Sequence, residues 1–223
     1  MQVKIIIAAL AGLLALFALY RGEFTYSPGF VAIVLVLLIL LTFYWWVNKT
    51  AVNSKQLAII ATLAALAAVG RIPFAAIPSV QPTTFLIIIS GFVFGPRAGF
   101  LVGSTAALVS NFFLGQGPWT PWQMLGWGLA GISAGYLYRL KPGISSLGWG
   151  IFGACWGFVF SWIQNAGFWL VFVYPLTIKT FLAAYATSFP FDLAHAAGNF
   201  LFCFFLAWPT IKILSQYKED FAN

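Results

Sequence analysis

Arg71 to Phe94 reads RIPFAAIPSVQPTTFLIIISGFVF, and this stretch decides the fold. Its first half carries Pro73, Pro78 and Pro82 together with Arg71 and Gln81. Its second half, Thr83 to Phe94, is a short and wholly apolar run apart from Thr83, Thr84 and Ser90. A helix of that length covers roughly 18 Å, well short of a hydrocarbon core of ~30 Å. Irregular backbone at membrane depth survives only where protein covers it or where it lines a cavity. The stretch is therefore expected to fold back into the protein and to roof a ligand pocket.

Composition supplies the membrane. Of 223 residues, 62% are hydrophobic and 7% charged, and the mean hydropathy is +0.96. A soluble domain carries about 25% charge, so the chain reads as an all-α, polytopic membrane protein. A β-barrel would show short alternating strands, whereas these runs are continuously apolar. The net charge of +7 fits basic loops beside anionic lipid and calls for no nucleic-acid partner. Cys155 and Cys203 sit inside apolar runs and form neither a metal spacing nor a disulfide framework, so both are expected to be small buried side chains.

Outward from the opening stretch, eight helices are expected. Ile5–Tyr20 follows a single Lys4 and reads as a retained helix rather than a cleaved signal, because no small-residue cleavage site precedes Arg21. Phe30–Val47 ends in a Tyr44-Trp45-Trp46 belt suited to the headgroup level. Residues 1–50 thus form an accessory hairpin, 51–215 a six-helix core and 216–223 a solvated tail. In the core, Ser54 is expected to cap an alanine-rich helix from Gln56 to Gly70. After the proline-rich loop and the short helix, Gly95-Pro96 turns the chain into a helix reaching Leu114, on which Gly99 and Gly103 allow close approach. A second irregular loop, Gly115 to Pro121, leads to a helix ending near Leu140, with Thr120 and Gln123 as a capping box. A glycine-rich run, Ile144–Val173, follows, and the final helix is expected to begin near Pro190. Placing the N-terminus in the cytoplasm puts Lys4, Lys49, Lys55, Arg97, Arg139, Lys141, Lys212 and Lys218 inside and only Arg21, Arg71 and Lys179 outside.

This topology gives the internal polar residues one depth. Arg71, Gln81, Thr83, Asn111, Trp119, Trp122, Gln123, Gln164, Asn165, Asp192, His195 and Asn199 all fall in the outer half. Asp192, His195 and Asn199 share one helix face by their spacing. Polar groups within a bilayer are costly and mark substrate paths, so a pocket opening outward is expected. Plainer roles exist for each: Asp192 complementing a helix N-terminus, His195 as a bonded core residue, Gln123 in the capping box, the tryptophans and Arg71 as interfacial anchors, the asparagines as helix glue. No ATP-binding G-x-x-x-x-G-K-[ST] is present, since Gly99–Thr105 (GFLVGST) lacks the lysine. One histidine and one acidic residue in the membrane region are too few for a metalloprotease. The chain is thus expected to be no enzyme and to hold no cofactor of its own.

The alanine-rich helix, the stretch RIPFAAIPSVQPTTFLIIISGFVFGPRAGFLVGSTAALVSNFFLGQGPWTPWQM and FPFDLAHAAGN near the end resemble the substrate-binding S component of energy-coupling factor (ECF) transporters. The resemblance covers about Ser54 to Leu214. GPRAGFLVG and NFFLGQGPWTPWQM look like the cobalamin-type branch. It implies a vitamin ligand, cobalamin or a related corrinoid, with riboflavin or a queuosine precursor as alternatives. It also implies docking on a transmembrane coupling subunit powered by two ATPase subunits, which use the ATP, in a bacterial cell membrane with both termini cytoplasmic. Docking in that family uses alanines four apart, which here are Ala61 and Ala65, with Ala64 and Ala68 one step over. A membrane scaffold that binds no ligand is the competing expectation.

Overall fold

The computed structural model describes residues 27–49 and 52–221. The first apolar run, with its signal-or-helix question, lies outside the described residues. Among the described residues there are seven α-helices and no strand: α1 Pro28–Val47, α2 Ser54–Val69, α3 Thr83–Phe94, α4 Pro96–Leu114, α5 Thr120–Leu140, α6 Ser146–Phe172 and α7 Ile178–Leu214, followed by a 3-10 segment, Ser215–Phe221. The all-α expectation holds, and α2 to α7 supply the six core helices. Four helices, α1, α4, α6 and α7 with its extension, are long and apolar enough to cross a membrane, so this is a multi-pass membrane protein. The end carrying the α2–α3, α4–α5 and α6–α7 connections is called the outer end here, following the distribution of Lys and Arg.

The short helix α3 is the centre of the bundle. Every one of its residues except Leu86 is buried. A helix wrapped by protein on all sides need not match the bilayer thickness, which resolves the length anomaly. Contact with its neighbours depends on missing side chains. A Cβ on Gly99 of α4 would collide with the backbone of Gly131 on α5, and one on Gly91 of α3 would strike the same carbonyl. Three helix backbones therefore meet at Gly91, Gly99 and Gly131, closer than any side chain would permit. The turn between α3 and α4 uses Gly95 at φ 91°, in the left-handed region that favours glycine. α6 and α7 form the other tight pair, with Gly157 against the backbone of Ala196.

Local details differ from expectation. Asn53, not Ser54, caps α2: its side chain accepts from the Gln56 N–H at 2.9 Å, and Gln56 Oε1 accepts from the Asn53 N–H at 3.1 Å. No capping box forms at α5, because Gln123 and Thr120 are both engaged by Asn111 instead. The last helix does not begin near Pro190. α7 starts at Ile178, capped by Thr177, and runs 37 residues through Pro190 and Pro209. In the turn before Pro190 two hydroxyls bond back to their own helix: Thr187 donates to the Ala183 carbonyl at 2.9 Å and Ser188 to the Tyr185 carbonyl at 3.1 Å. Cys203 is buried, whereas Cys155 is exposed on the bundle surface.

α1 lies against the core rather than apart from it. Val36, Leu40 and Val47 pack with Phe100 of α4, and the Tyr44 hydroxyl donates to Ser104 Oγ at 2.9 Å. Along α2 the alanines divide by face. Ala64 and Ala68 point inward, each 2% exposed, while Ala61 and Ala65 are exposed. Ala64 and Ala68 serve internal packing, so they are not on an outward docking surface.

Candidate functional site

The α2–α3 loop folds into the bundle mouth and buries a cation. Arg71 is 8% exposed. Its Nε donates to Gln81 Oε1 at 3.1 Å, and its Nη1 donates to Asn111 Oδ1 at 2.9 Å and to Ser110 Oγ. The guanidinium carbon lies 4.9 Å from the ring centroid of Trp127. Burial lowers the Arg71 pKa to about 10, so the group remains charged at neutral pH. Asn111, at the outer end of α4, passes the network on: its Nδ2 donates to Thr120 Oγ1 at 2.9 Å and to Gln123 Oε1 at 2.7 Å, both on α5. Every hydrogen-bonding atom of that amide is thereby engaged.

The loop is held from the other side by α7. His195 Nδ1 lies 2.7 Å from the Ser79 carbonyl, which can only accept, so this nitrogen carries the proton. In the neutral ring Nε2 then accepts from Thr84 Oγ1 at 3.3 Å, and Thr84 in turn accepts from Trp127 Nε1 at 2.9 Å. Ser79 sits at φ 62°, a conformation that non-glycine residues rarely adopt, and the histidine pins it there. His195 therefore acts as a tether of the loop, with both nitrogens satisfied within the protein. Farther along, Asn165 of α6 donates to Asp192 Oδ2 at 2.9 Å and to Ser188 Oγ at 2.7 Å. Asp192 lies deep within α7, so it complements no helix N-terminus.

These elements line an open cavity of about 270 Å³, walled by Arg71, Ser79, Gln81, Gln123, Trp127, Phe160, Ser161, Gln164, Asn165, Ser188, Phe191, Asp192 and His195. Trp127 and Phe160 stack at 4.6 Å to form an aromatic wall. Gln123, Gln164, Asn165, Ser188 and Phe191 also line an adjoining, largely apolar chamber of about 590 Å³ that includes Trp119, Trp122, Phe168 and Phe172. Polar capacity is left over at the cavity. Gln164 Nε2 is buried without a hydrogen-bond partner. Arg71 Nη2, Gln123 Nε2 and Asp192 Oδ1 make no hydrogen bond among the described residues.

Of the residues singled out in the sequence, Arg71, Gln81, Gln123, Gln164, Asn165, Asp192 and His195 meet at the cavity, and Trp119 and Trp122 line the outer chamber. Three do not reach either space. Asn111 lies behind Arg71. Thr83 donates to the Ala67 carbonyl at 3.0 Å, joining α3 to α2. Asn199 donates to the His195 carbonyl at 2.9 Å, one turn farther in. Trp127 and Phe160 were missed because an aromatic residue in an apolar helix carries no signal of its own. Trp127 does lie four residues after Gln123, on the same face of α5.

Fold and site together define a multi-pass helical membrane protein with an open cavity at one end, lined by polar and aromatic side chains. Residues 55–207 match the family described as ECF transporter, substrate-specific component, and the chain belongs to that family. Among its relatives are UPF0397 proteins of Vibrio atlanticus (strain LGP32), Aliivibrio fischeri (strain MJ11) and Aliivibrio salmonicida (strain LFI1238). Each is 33% identical over 88 residues, which are 37% of this chain and 48% of the relative. The chain thus spans about half the length of the curated relatives it matches. No solved structure matches it.

Proposed function

We propose that this chain is the substrate-capturing subunit of an ECF-type importer and binds a vitamin-like small molecule at its outer cavity. The observation that carries the proposal is the unmatched polar capacity around the 270 Å³ space. Three nitrogens of Arg71, Gln123 and Gln164 offer donors, and Asp192 Oδ1 offers an acceptor. Of these atoms Gln164 Nε2 is buried without a partner; such a group costs about 1–3 kcal/mol, so a ligand that pairs with it and with the open polar atoms beside it binds favourably. The complementary molecule is a planar nitrogen heterocycle presenting carbonyl oxygens to the donors and an N–H to the carboxylate. The α2–α3 loop, held by His195 and Arg71, closes over it as a lid.

The cavity lies near the lower end of the ~300–1,000 Å³ usual for ligand sites, which favours a single ring system such as riboflavin's. A corrinoid would have to occupy the adjoining 590 Å³ chamber as well, and that larger combined space is the observation that keeps cobalamin as the second candidate. Release inside follows docking on a coupling subunit driven by two ATPase subunits that use the ATP. The exposed Ala61 and Ala65 on α2 let a partner helix approach closely. The basic residues at the inner end support an orientation with both termini in the cytoplasm of a bacterial cell.

Calorimetry on the purified full chain with a panel containing riboflavin, a queuosine precursor and cobalamin tests the proposal. One compound is expected to bind tightly with one-to-one stoichiometry, and Asp192→Leu is expected to weaken it while the protein stays folded. Binding of nothing in the panel, or of the same compound equally well by the variant, would contradict it and favour a ligand-free scaffold.

A further inference from the structure

Two charges face the outer cavity, and neither has a counter-charge. Arg71 and Asp192 are the charged residues of its wall, while His195 has both ring nitrogens engaged within the protein. The adjoining chamber adds no charged residue. Arg71 is 8% and Asp192 4% exposed. Arg71 donates to Gln81, Ser110 and Asn111 and lies over Trp127, and Asp192 accepts from Asn165 and Ser188. All of these partners are neutral, and among the described residues neither charge enters an ion pair. Buried charges are ordinarily paired, because neutral groups replace only part of the lost hydration.

Different elements hold the two charges. Asn111 fixes Arg71 on the α4 side, and Asn165 fixes Asp192 on the α6 side. Each charge keeps an atom without a hydrogen bond among the described residues, Nη2 on Arg71 and Oδ1 on Asp192. The same wall carries the stacked rings of Trp127 and Phe160, with centroids 4.6 Å apart, a surface suited to a flat ring. Among the described residues no three His, Cys, Asp or Glu side chains gather to hold a metal ion. An organic cation is therefore the fitting partner of Asp192, as an organic anion is of Arg71.

We propose that the ligand of the outer cavity is a zwitterionic heterocycle, with its anionic group on Arg71 and its cationic nitrogen on Asp192 Oδ1. The inference rests on the capture role proposed above and narrows the heterocycle to one charged at both ends. Such a molecule neutralises both buried charges at once, whereas a ligand with a single charge leaves one of them unpaired. Water displaced from the cavity strengthens both contacts, because the local dielectric falls.

The test is calorimetry on the full chain in detergent with four probes built on one pyridine ring. They are 6-(aminomethyl)pyridine-3-carboxylate, its carboxamide, its N-acetyl derivative and the doubly blocked compound, which are a zwitterion, a cation, an anion and a neutral molecule. The zwitterion is expected to bind tightest. Blocking either end is expected to cost about 10- to 100-fold, the worth of a hydrogen bond to a charged group. D192N is expected to erase the preference for the free amine over the acetylated one and to keep the preference for the carboxylate. R71Q is expected to do the converse, and if it fails to fold, D192N carries the test alone. A purely structural Asp192 would instead weaken all four probes alike in D192N, and that result would overturn the inference. The neutral probe binding as well as the zwitterion would also overturn it, while leaving the capture role standing. If no probe binds, the inference falls, and a compound of any charge carried through purification by the wild type still supports the capture role.

Discussion

At the outer end, Arg71, Asn111, Asp192 and His195 are all buried and tied into networks of side-chain hydrogen bonds. At the inner end, Lys55, Arg139, Lys141 and Lys212 stand exposed at helix termini. Between the two, α3, α4 and α5 meet backbone to backbone at Gly91, Gly99 and Gly131. Charges at the rim of a bilayer are solvated and serve orientation and lipid contact. Charges drawn inside must be fully paired or must await a partner. The contrast separates two jobs: the glycine crossing meets the packing needs of the middle of the bundle, and the buried side-chain hydrogen-bond network around a cavity lies above it.

The strongest way to break that division is to disturb the crossing. Gly99→Leu drives a side chain into the Gly131 backbone, and neither helix can retreat from α3. A loss of stability of more than about 3 kcal/mol is expected, above the usual cost of overpacking, read as failure to recover monodisperse protein. Gly143 at the inner turn has nothing within 4 Å of its built Cβ, so Gly143→Ala is expected to recover normally. Second in size is Asn111→Leu, which removes one partner of the buried Arg71 and leaves Gln123 Oε1 without its donor. About 2–3 kcal/mol of stability is expected to be lost, measured by thermal unfolding in detergent, together with weaker ligand binding.

A third change separates capture from transport. Ala61→Leu and Ala65→Leu add bulk to the exposed face of α2 and touch nothing in the outer network. Both variants are expected to bind ligand as the wild type does and to lose uptake in a reconstituted transporter. Normal uptake by both would remove the docking role from this face. The smallest effect is expected from Tyr44→Phe, which deletes the 2.9 Å bond to Ser104 and costs about 1 kcal/mol. A change in ligand affinity there would show that α1 is coupled to the outer cavity.

The architecture was largely legible because its signals are long and periodic. The 12-residue apolar run after three prolines was legibly too short to span, and the structure answers that anomaly by burying α3 inside the bundle. The polar layer was legible for the same reason, since Arg71, Asn165 and Asp192 are anomalous in any apolar run. Pro190 misled, because a proline reads as a helix boundary, whereas α7 runs through it as one helix from Ile178 to Leu214. The division of labour within the layer was not legible. Spacing puts Asp192 and His195 on one face, yet only the fold shows that His195 holds Ser79 while Asp192 keeps an oxygen free. The alanines of α2 divide by face in a way that a pattern of small residues cannot reveal, with Ala64 turned in and Ala61 out.

The most direct test of the central claim is mass spectrometry of small molecules carried through purification by the wild-type chain and by Asp192→Leu and Gln164→Leu. The account predicts one ring-containing nitrogen compound released in equimolar amount from the wild type and strongly depleted from both variants. The same compound retained undiminished by both variants would contradict the outer cavity as the capture site.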